Sequence, residues 1–542
     1  MPKQLTPRAL ILGALGSVVI TASSLYVALR LGALPWPTIF VAILSMALLK
    51  LFGKTSLQEV NITHTAMSAG AMVAGGLAFT APALWILNPE TEFSFLKMLS
   101  ITLSGTLLGL AATALFRRYF IETRKEEYTY PIGAAAYETV SAGDDGGRHA
   151  LWLFSSLGLT ALFTVFRDKL GKIPALINFE KLAEKNIFAG IWISPMAMGI
   201  GYIIGPLYTG VWAIGALLGF GLIVPVGLAT GIFETLANAD AFRSSLGIGL
   251  MVGTGIGVLI KGILPQLRPL IKAAFGKDEK SLSSPSFLLT AGIVAIVALT
   301  LGTDFRNLGG WIPVAVIVTV LGASLASLMA AVLTGQTGIN PMEILGILVL
   351  LVVKIFAPEA MGALITAAAV TAVAAGLAGD VMNDYKAGAL FGTNPRAQRI
   401  AETTGALIGA VVSVAVLYAL VRSNGAGSLG DPTVFPAPQA RAVAALAGGI
   451  PHLWAFIAGA LFGTIFFIVK IPAMTLGLGL YLPVFITAPI LLGGLWAFVE
   501  KLLRNAQGKA VGKTGTVIAS GLLGGEAVTG VVIAIITLVS LG

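Results

Sequence analysis

The chain has 542 residues, 56% of them hydrophobic and 11% charged, with a mean hydropathy of +0.92; a soluble domain carries about 25% charged residues. The net charge is +9 and there is no cysteine. The composition excludes disulfides, thiolate metal sites and cysteine nucleophiles, and its long apolar runs exclude most soluble-enzyme readings.

The clearest apolar runs cover residues 10–32, 36–52, 97–116, 187–208, 309–333, 402–421, 452–469 and 514–541. A helix needs about 20 apolar residues to cross a hydrocarbon core of about 30 Å. Inside lipid every backbone N–H and C=O must be paired within the protein, so these runs are read as helices. No stretch between them is long enough for a soluble domain of ordinary size. The expected fold class is therefore an all-α polytopic membrane protein. Met1-Pro2-Lys3-Gln4-Leu5 lacks a signal-peptide cleavage pattern, so the first run is expected to be retained. Basic clusters such as Lys3 and Arg8, Arg117 with Arg118, and Lys501 with Arg504 belong on the cytoplasmic side by the positive-inside rule. The N-terminus is then cytoplasmic and Asn88-Pro89-Glu90-Thr91-Glu92 faces outward. The positive charge is assigned to topology and anionic lipid, not to nucleic acid. Lys169, Lys172, Lys181 and Lys185 break the pattern; either a boundary is shifted there or the segment lies on the membrane surface.

The first segment with chemistry is Glu59-Val60-Asn61-Ile62-Thr63-His64-Thr65-Ala66-Met67-Ser68-Ala69-Gly70. On a helix Asn61, Thr65 and Ser68 share a face, and Gly75 and Gly76 beyond permit close helix approach. A polar stripe along a substrate path is one reading, with His64 as a proton carrier; polar groups holding helices together is the other. The second is Tyr128-Thr129-Tyr130-Pro131-Ile132-Gly133-Ala134-Ala135-Ala136-Tyr137-Glu138, where Pro131 suits the first turn of a short helix. Glu138 is expected at the interface.

An internal repeat follows. Residues 22–52 lie without gaps on residues 326–356: Pro37 meets Pro341, Lys50 meets Lys354 and Phe52 meets Phe356. Further on, Met196-x-x-Gly199-x-Gly201 recurs as Met474-x-x-Gly477-x-Gly479, each followed by a Tyr (Tyr202, Tyr481) and a Pro (Pro206, Pro483). The chain reads as two repeated halves, residues 1–285 and 304–542, joined by a linking span at 286–303. Threading the charges makes the halves inverted, which puts a substrate site near the midplane on broken helices. Residues 471–503 are too short for two straight spans at 1.5 Å per residue, and Gly477, Gly479, Pro483 and Pro489 are the expected breakers.

In the second half, Gly379-Asp380-Val381-Met382-Asn383-Asp384-Tyr385-Lys386 ends an apolar run. Asp380 and Asp384 share a helix face at i, i+4, and their repulsion favours holding a proton on one of them. A helix end reaching the interface is the competing reading. Glu526, inside the last run, is the most deeply placed acid; such acids are functional candidates by default. His452, Glu234 and Glu500 read as interfacial. Gly508-Lys509-Ala510-Val511-Gly512-Lys513-Thr514 resembles a phosphate-binding loop, but its first Gly is one position too close and no strand precedes it.

At these motifs the chain resembles the oligopeptide transporter family, which includes the Yellow Stripe-like carriers of metal chelates. The matching stretches are residues 59–68 with Phe79-Thr80-Ala81-Pro82-Ala83, residues 130–138, residues 379–388 with Thr393-Asn394-Pro395-Arg396, residues 474–483, and Ala519-Ser520-Gly521-Leu522 with Gly525-Glu526. They are spread over nearly the whole chain in family order. The resemblance implies secondary transport of short peptides or related chelates, as proton symport, through about 14–17 membrane helices. The family often has Gln where His64 stands, a departure that bears on coupling and substrate range.

The expected protein is a proton-coupled importer in the plasma membrane, not an enzyme, with no cofactor and no resident metal. Its partners are a short peptide or metal chelate, protons and the bilayer; a homodimer is an open option. Asn61, Thr65, Ser68, Asp380, Asn383, Met196, Gly199, Gly201, Tyr202, Gly477, Gly479 and Tyr481 are expected to line the substrate path. Glu526, His64, Asp384 and Glu138 are the candidate proton carriers. A passive channel is the first rival. An intramembrane enzyme is the second, disfavoured because neither a paired His–Glu metal motif nor a serine–histidine pair is found.

Overall fold

The structure is a computed structural model that describes residues 4–32, 37–141, 146–179, 190–258, 260–261, 285–337, 340–506 and 514–541. Most of the basic segment around Arg268, Lys181 with Lys185, and residues 508–513 of the dismissed loop lie outside the described residues.

In chain order the helices are α1 (Pro7–Leu31), α2 (Pro37–Leu51), α3 (Leu57–Ala78), α4 (Ala83–Leu87), α5 (Phe95–Arg118), α6 (Pro131–Ser141), α7 (Gly146–Thr164), α8 (Pro195–Ala216), α9 (Val224–Ala229), α10 (Leu236–Val258), α11 (Pro285–Gly302), α12 (Ile312–Thr337), α13 (Met342–Phe356), α14 (Met361–Phe391), α15 (Pro395–Asn424), α16 (Pro438–Gly448), α17 (Leu453–Ile468), α18 (Ala473–Tyr481), α19 (Val484–Ala506) and α20 (Thr514–Leu541). Eight described segments are long and apolar enough to cross a membrane, and others are shorter apolar helices. The chain is an all-α polytopic membrane protein. One small departure is an antiparallel pair of strands, β1 (Leu176–Asn178) and β2 (Gly190–Trp192), with Ile177 opposite Ile191. The strands flank Lys181 and Lys185 in the sequence, and Lys169 and Lys172 precede β1.

The helix starts follow the local sequence. Thr6, Ser56, Ser94, Ser194 and Asn394 cap α1, α3, α5, α8 and α15, each accepting from a backbone N–H in the first turn. Pro7, Pro195 and Pro395 stand at the first helical position. Gly32 and Gly392 end α1 and α14 at φ 61° and 70°, where a side chain would strain the backbone.

The chain forms two compact units: Met1–Ala150, Ile263–Gly448 and Ala534–Gly542 make the first, and Leu151–Gly262 with Gly449–Ile533 the second. Each draws on both sequence repeats, so neither coincides with a repeat. Several helices of one half pack closely on helices of the other, as α10 does on α17 and α8 on α19.

In the first unit α3 and α14 form the centre. Every residue of 59–78 in α3 and of 363–385 in α14 is buried. They run antiparallel: Gln58 bonds the carbonyl of Phe391, Ser68 meets Asp384, and Gly76 packs on the backbone of Val373. α15 runs parallel to α3, with Gly405 against the Ala66 carbonyl and Gly409 against Gly70. α5 runs parallel to α14, with Gly105 on Val370 and Gly109 on Ala374. Lipid supplies no hydrophobic drive between helices, so such small-residue contacts hold them.

In the second unit α10 and α17 run parallel, with Gly249 on Gly459 and Thr464 donating to the Gly253 carbonyl at 2.9 Å. α18 is one of the broken pieces expected between 471 and 503. It ends at Tyr481, and the chain resumes at Val484; α19 then continues through Pro489. In α8 the break falls at Gly205 (φ 84°) before Pro206, beyond the Met196–Tyr202 motif that recurs in α18. Pro206 cannot donate a helical bond, and only glycine tolerates that φ cheaply.

Candidate functional site

In the first unit the polar segment 59–70 folds into α3 and the acidic segment 379–388 into α14. Small residues around both groups let the two helices approach closely, which brings the side chains together. His64 and Asp384 each stand seven residues inside the adjacent ends of their helices, about 10 Å of rise. Both are 2% exposed.

Ser68 Oγ donates to Asp384 Oδ2 at 2.5 Å, and His64 Nε2 lies 3.7 Å from Asp384 Oδ1. One turn away, Asn340 Nδ2 donates to Asp380 Oδ2 at 3.2 Å and to the Gly376 carbonyl at 2.8 Å. Asn383 Oδ1 accepts from the backbone N–H of Gly133 in α6 at 3.2 Å. Gln398 Nε2 donates to Thr65 Oγ1 at 3.2 Å, and Asn61 Nδ2 to Thr393 Oγ1 at 3.3 Å. The predicted residues Asn61, His64, Thr65, Ser68, Asp380, Asn383 and Asp384 therefore share one region of α3, α14 and α15.

Four further polar residues belong to this region and escaped the sequence reading. Glu402 in α15 is fully buried and interacts with Tyr385, Gln398, Asp384 and Arg117. Arg117 places its guanidinium 5.4 Å from the Tyr385 ring centroid and pairs with Glu122 at 2.5 Å. Asn340 and Gln398 complete the set. Glu402 opens the apolar run 402–421, which hid it; the helix begins at Pro395, two turns earlier. A carboxyl group at such depth costs free energy unless it is paired, hydrogen-bonded or protonated. Here three carboxyl groups face one imidazole and one guanidinium.

Tyr130, just before Pro131, is fully buried with its hydroxyl donating to the Ala331 carbonyl at 2.9 Å. Pro131 begins α6, as its place in the sequence suggests. Glu138 lies on α6, but its side chain is outside the described residues.

The remaining candidates lie in the second unit. Gly201 packs on the Ile490 carbonyl, Gly199 on that of Ala519, Gly479 on that of Trp212 and Gly477 on that of Gly247. These glycines are points of helix crossing, each lying against a neighbouring backbone. Met196 is fully buried, and its N–H donates to Glu526. Tyr202 donates to Glu500 at 2.7 Å and packs against Trp496 with the rings tilted by 45°. Tyr481 is buried, and its carbonyl, like that of Leu480, accepts from Arg243.

Glu526 is fully buried and fully engaged. Arg167 Nη2 pairs with it at 2.9 Å, Ser194 donates at 3.0 Å, and the Met196 N–H donates at 2.9 Å. Arg167 also holds Asp168 at 2.6 Å and the Ile193 carbonyl at 2.6 Å. That arrangement ties α20 to the start of α8. His452 caps α17 by accepting from Ala455 N at 3.2 Å. Among the described residues no group of His, Asp and Glu has an arrangement that could hold a metal ion.

Comparison with known proteins adds the family context. The family model described as "OPT oligopeptide transporter protein" matches residues 4–537. A protein of Haemophilus influenzae named "Putative oligopeptide transporter" is 26% identical, over 94% of this chain and 92% of its own length.

Proposed function

The chain belongs to the oligopeptide transporter family, and on that premise we propose that it drives uptake of short oligopeptides or peptide-like metal chelates across the plasma membrane by proton symport. The observation that supports coupling is the contact of Asp384 with both Ser68 and His64 where α3 meets α14. With Asp380 and Glu402 beside it, the charge of this group follows the protons it holds. Asp384 is the proton acceptor in this reading and His64 its partner. Asp380, Asn383, Asn61 and Thr65 supply the polar wall toward the substrate.

The antiparallel crossing of α3 and α14 supports the inverted arrangement of the two halves. Each follows the short helix of its repeat, α2 or α13, so the two are counterparts. In inverted-repeat carriers the site lies between such counterparts.

Uptake into proteoliposomes tests the proposal, with a panel of di- to tetrapeptides and peptide-like chelates, with and without a pH gradient. Saturable uptake accelerated by inward acid-to-neutral gradients supports symport. Unsaturable flux indifferent to the gradient identifies a channel and overturns it.

A further inference from the structure

A cavity of about 660 Å³ opens in the first unit where α4, α5 and the start of α14 meet. Its size falls within the range of small-ligand sites, roughly 300–1,000 Å³. Leu84, Leu87 and Ile365 give it an apolar wall, and Lys97, Asp304 and Glu359 give it charge. Lys97 Nζ holds Asp304 Oδ2 at 2.5 Å, with the two side chains only 17% and 24% exposed. Gly362 has no side chain, and a Cβ there would overlap the Asp304 carboxylate. Glu359 is exposed. The cavity lies far from the His64–Asp384 contact: Gly362 and Asp384 are 22 residues apart on α14, about 33 Å along the helix.

We propose that this cavity is a first-contact site for zwitterionic short peptides, in which Lys97 receives the peptide carboxylate and Glu359 faces its ammonium group. Asp304 is the internal stand-in. It occupies Lys97 while the cavity is empty, so the lysine is neither left unpaired nor open to stray anions, and an arriving carboxylate displaces it. A cationic and an anionic side chain lining one partly apolar cavity match a peptide of a few residues better than a neutral solute or a simple anion. The inference rests on the peptide-uptake reading and adds a second site to it.

The test is binding of trialanine, its C-terminal amide and its N-acetyl form to the full chain in lipid nanodiscs, beside trialanine uptake by proteoliposomes. Lys97→Gln should weaken trialanine about ten-fold or more, as expected for one charge-assisted bond, and leave the amide unchanged. Glu359→Gln should weaken trialanine and leave the N-acetyl form unchanged. Asp304→Asn removes the competitor and should tighten trialanine several-fold, a direction that damage to the fold does not produce. Equal weakening by Lys97→Gln and Asp304→Asn, or no change in any variant while the unaltered chain carries trialanine, overturns the site alone. A chain that neither binds nor carries trialanine overturns the site together with its premise.

Discussion

Ser68 Oγ and Asp384 Oδ2 meet at 2.5 Å although 316 residues separate them in the chain. The bond joins α3 to α14, and His64 approaches the second carboxylate oxygen from one turn below Ser68. A short bond from a neutral hydroxyl to a carboxyl group, with both side chains buried, is strengthened by the low local dielectric.

Asp384→Asn keeps the size and the capacity to accept from Ser68 but cannot take up a proton. Gradient-driven uptake in proteoliposomes is expected to fall at least ten-fold, while exchange of labelled for unlabelled peptide at equal pH persists. Unaltered acceleration by the gradient would remove Asp384 from the coupling step.

Ser68→Ala takes a hydrogen bond from a buried carboxyl group. The loss is expected at about 1–3 kcal/mol, seen as a lower midpoint of thermal unfolding in detergent. Ser68→Thr retains the hydroxyl and should recover most of it.

Glu526→Gln is expected to act on stability and not on coupling. It leaves Arg167 with Asp168 but without its second acid, so the cost falls at or below the roughly 3–5 kcal/mol of a broken buried pair. Thermal unfolding should shift down, while the ratio of uptake with a gradient to uptake without one is unchanged. A lost gradient requirement would instead return Glu526 to the coupling group that its depth in the sequence suggested.

Gly405→Ala drives a methyl group into the Ala66 carbonyl, where α15 crosses α3. Overpacking of this kind costs about 1–3 kcal/mol, and the yield of folded protein should drop. Gly427→Ala meets nothing within 4 Å and serves as the silent comparison in the same expression assay.

The sequence carried much of this site because its chemistry is local. Asp380 and Asp384 share a face of α14 by spacing alone, and the stripe of Asn61, Thr65 and Ser68 follows from helical periodicity. Glu402 and Arg117 were illegible for the opposite reason. Each stands at the edge of an apolar run, and its burial is decided by helices from elsewhere in the chain. The glycine motifs illustrate a different ambiguity. A glycine in a membrane helix serves equally to break it or to admit a neighbour, and only the backbone opposite, Trp212 for Gly479 or Ile490 for Gly201, separates the two. The break in α8 had a visible signal in Pro206, which the repeat drew attention away from. Glu526 read as a coupling acid because depth is visible in sequence, whereas Arg167, over 350 residues earlier in the chain, is not visible as its partner.

α14 runs unbroken from Met361 to Phe391, with Gly362 beside the Lys97–Asp304 pair and Asp384 near its other end. A continuous helix neither stretches nor folds at modest cost. Any tilt or slide imposed at one mouth therefore arrives at the other with its timing and direction intact. In the proposed symport such a rod would act as a push-rod, making the arrival of cargo at one end and the release of a proton at the other parts of a single stroke.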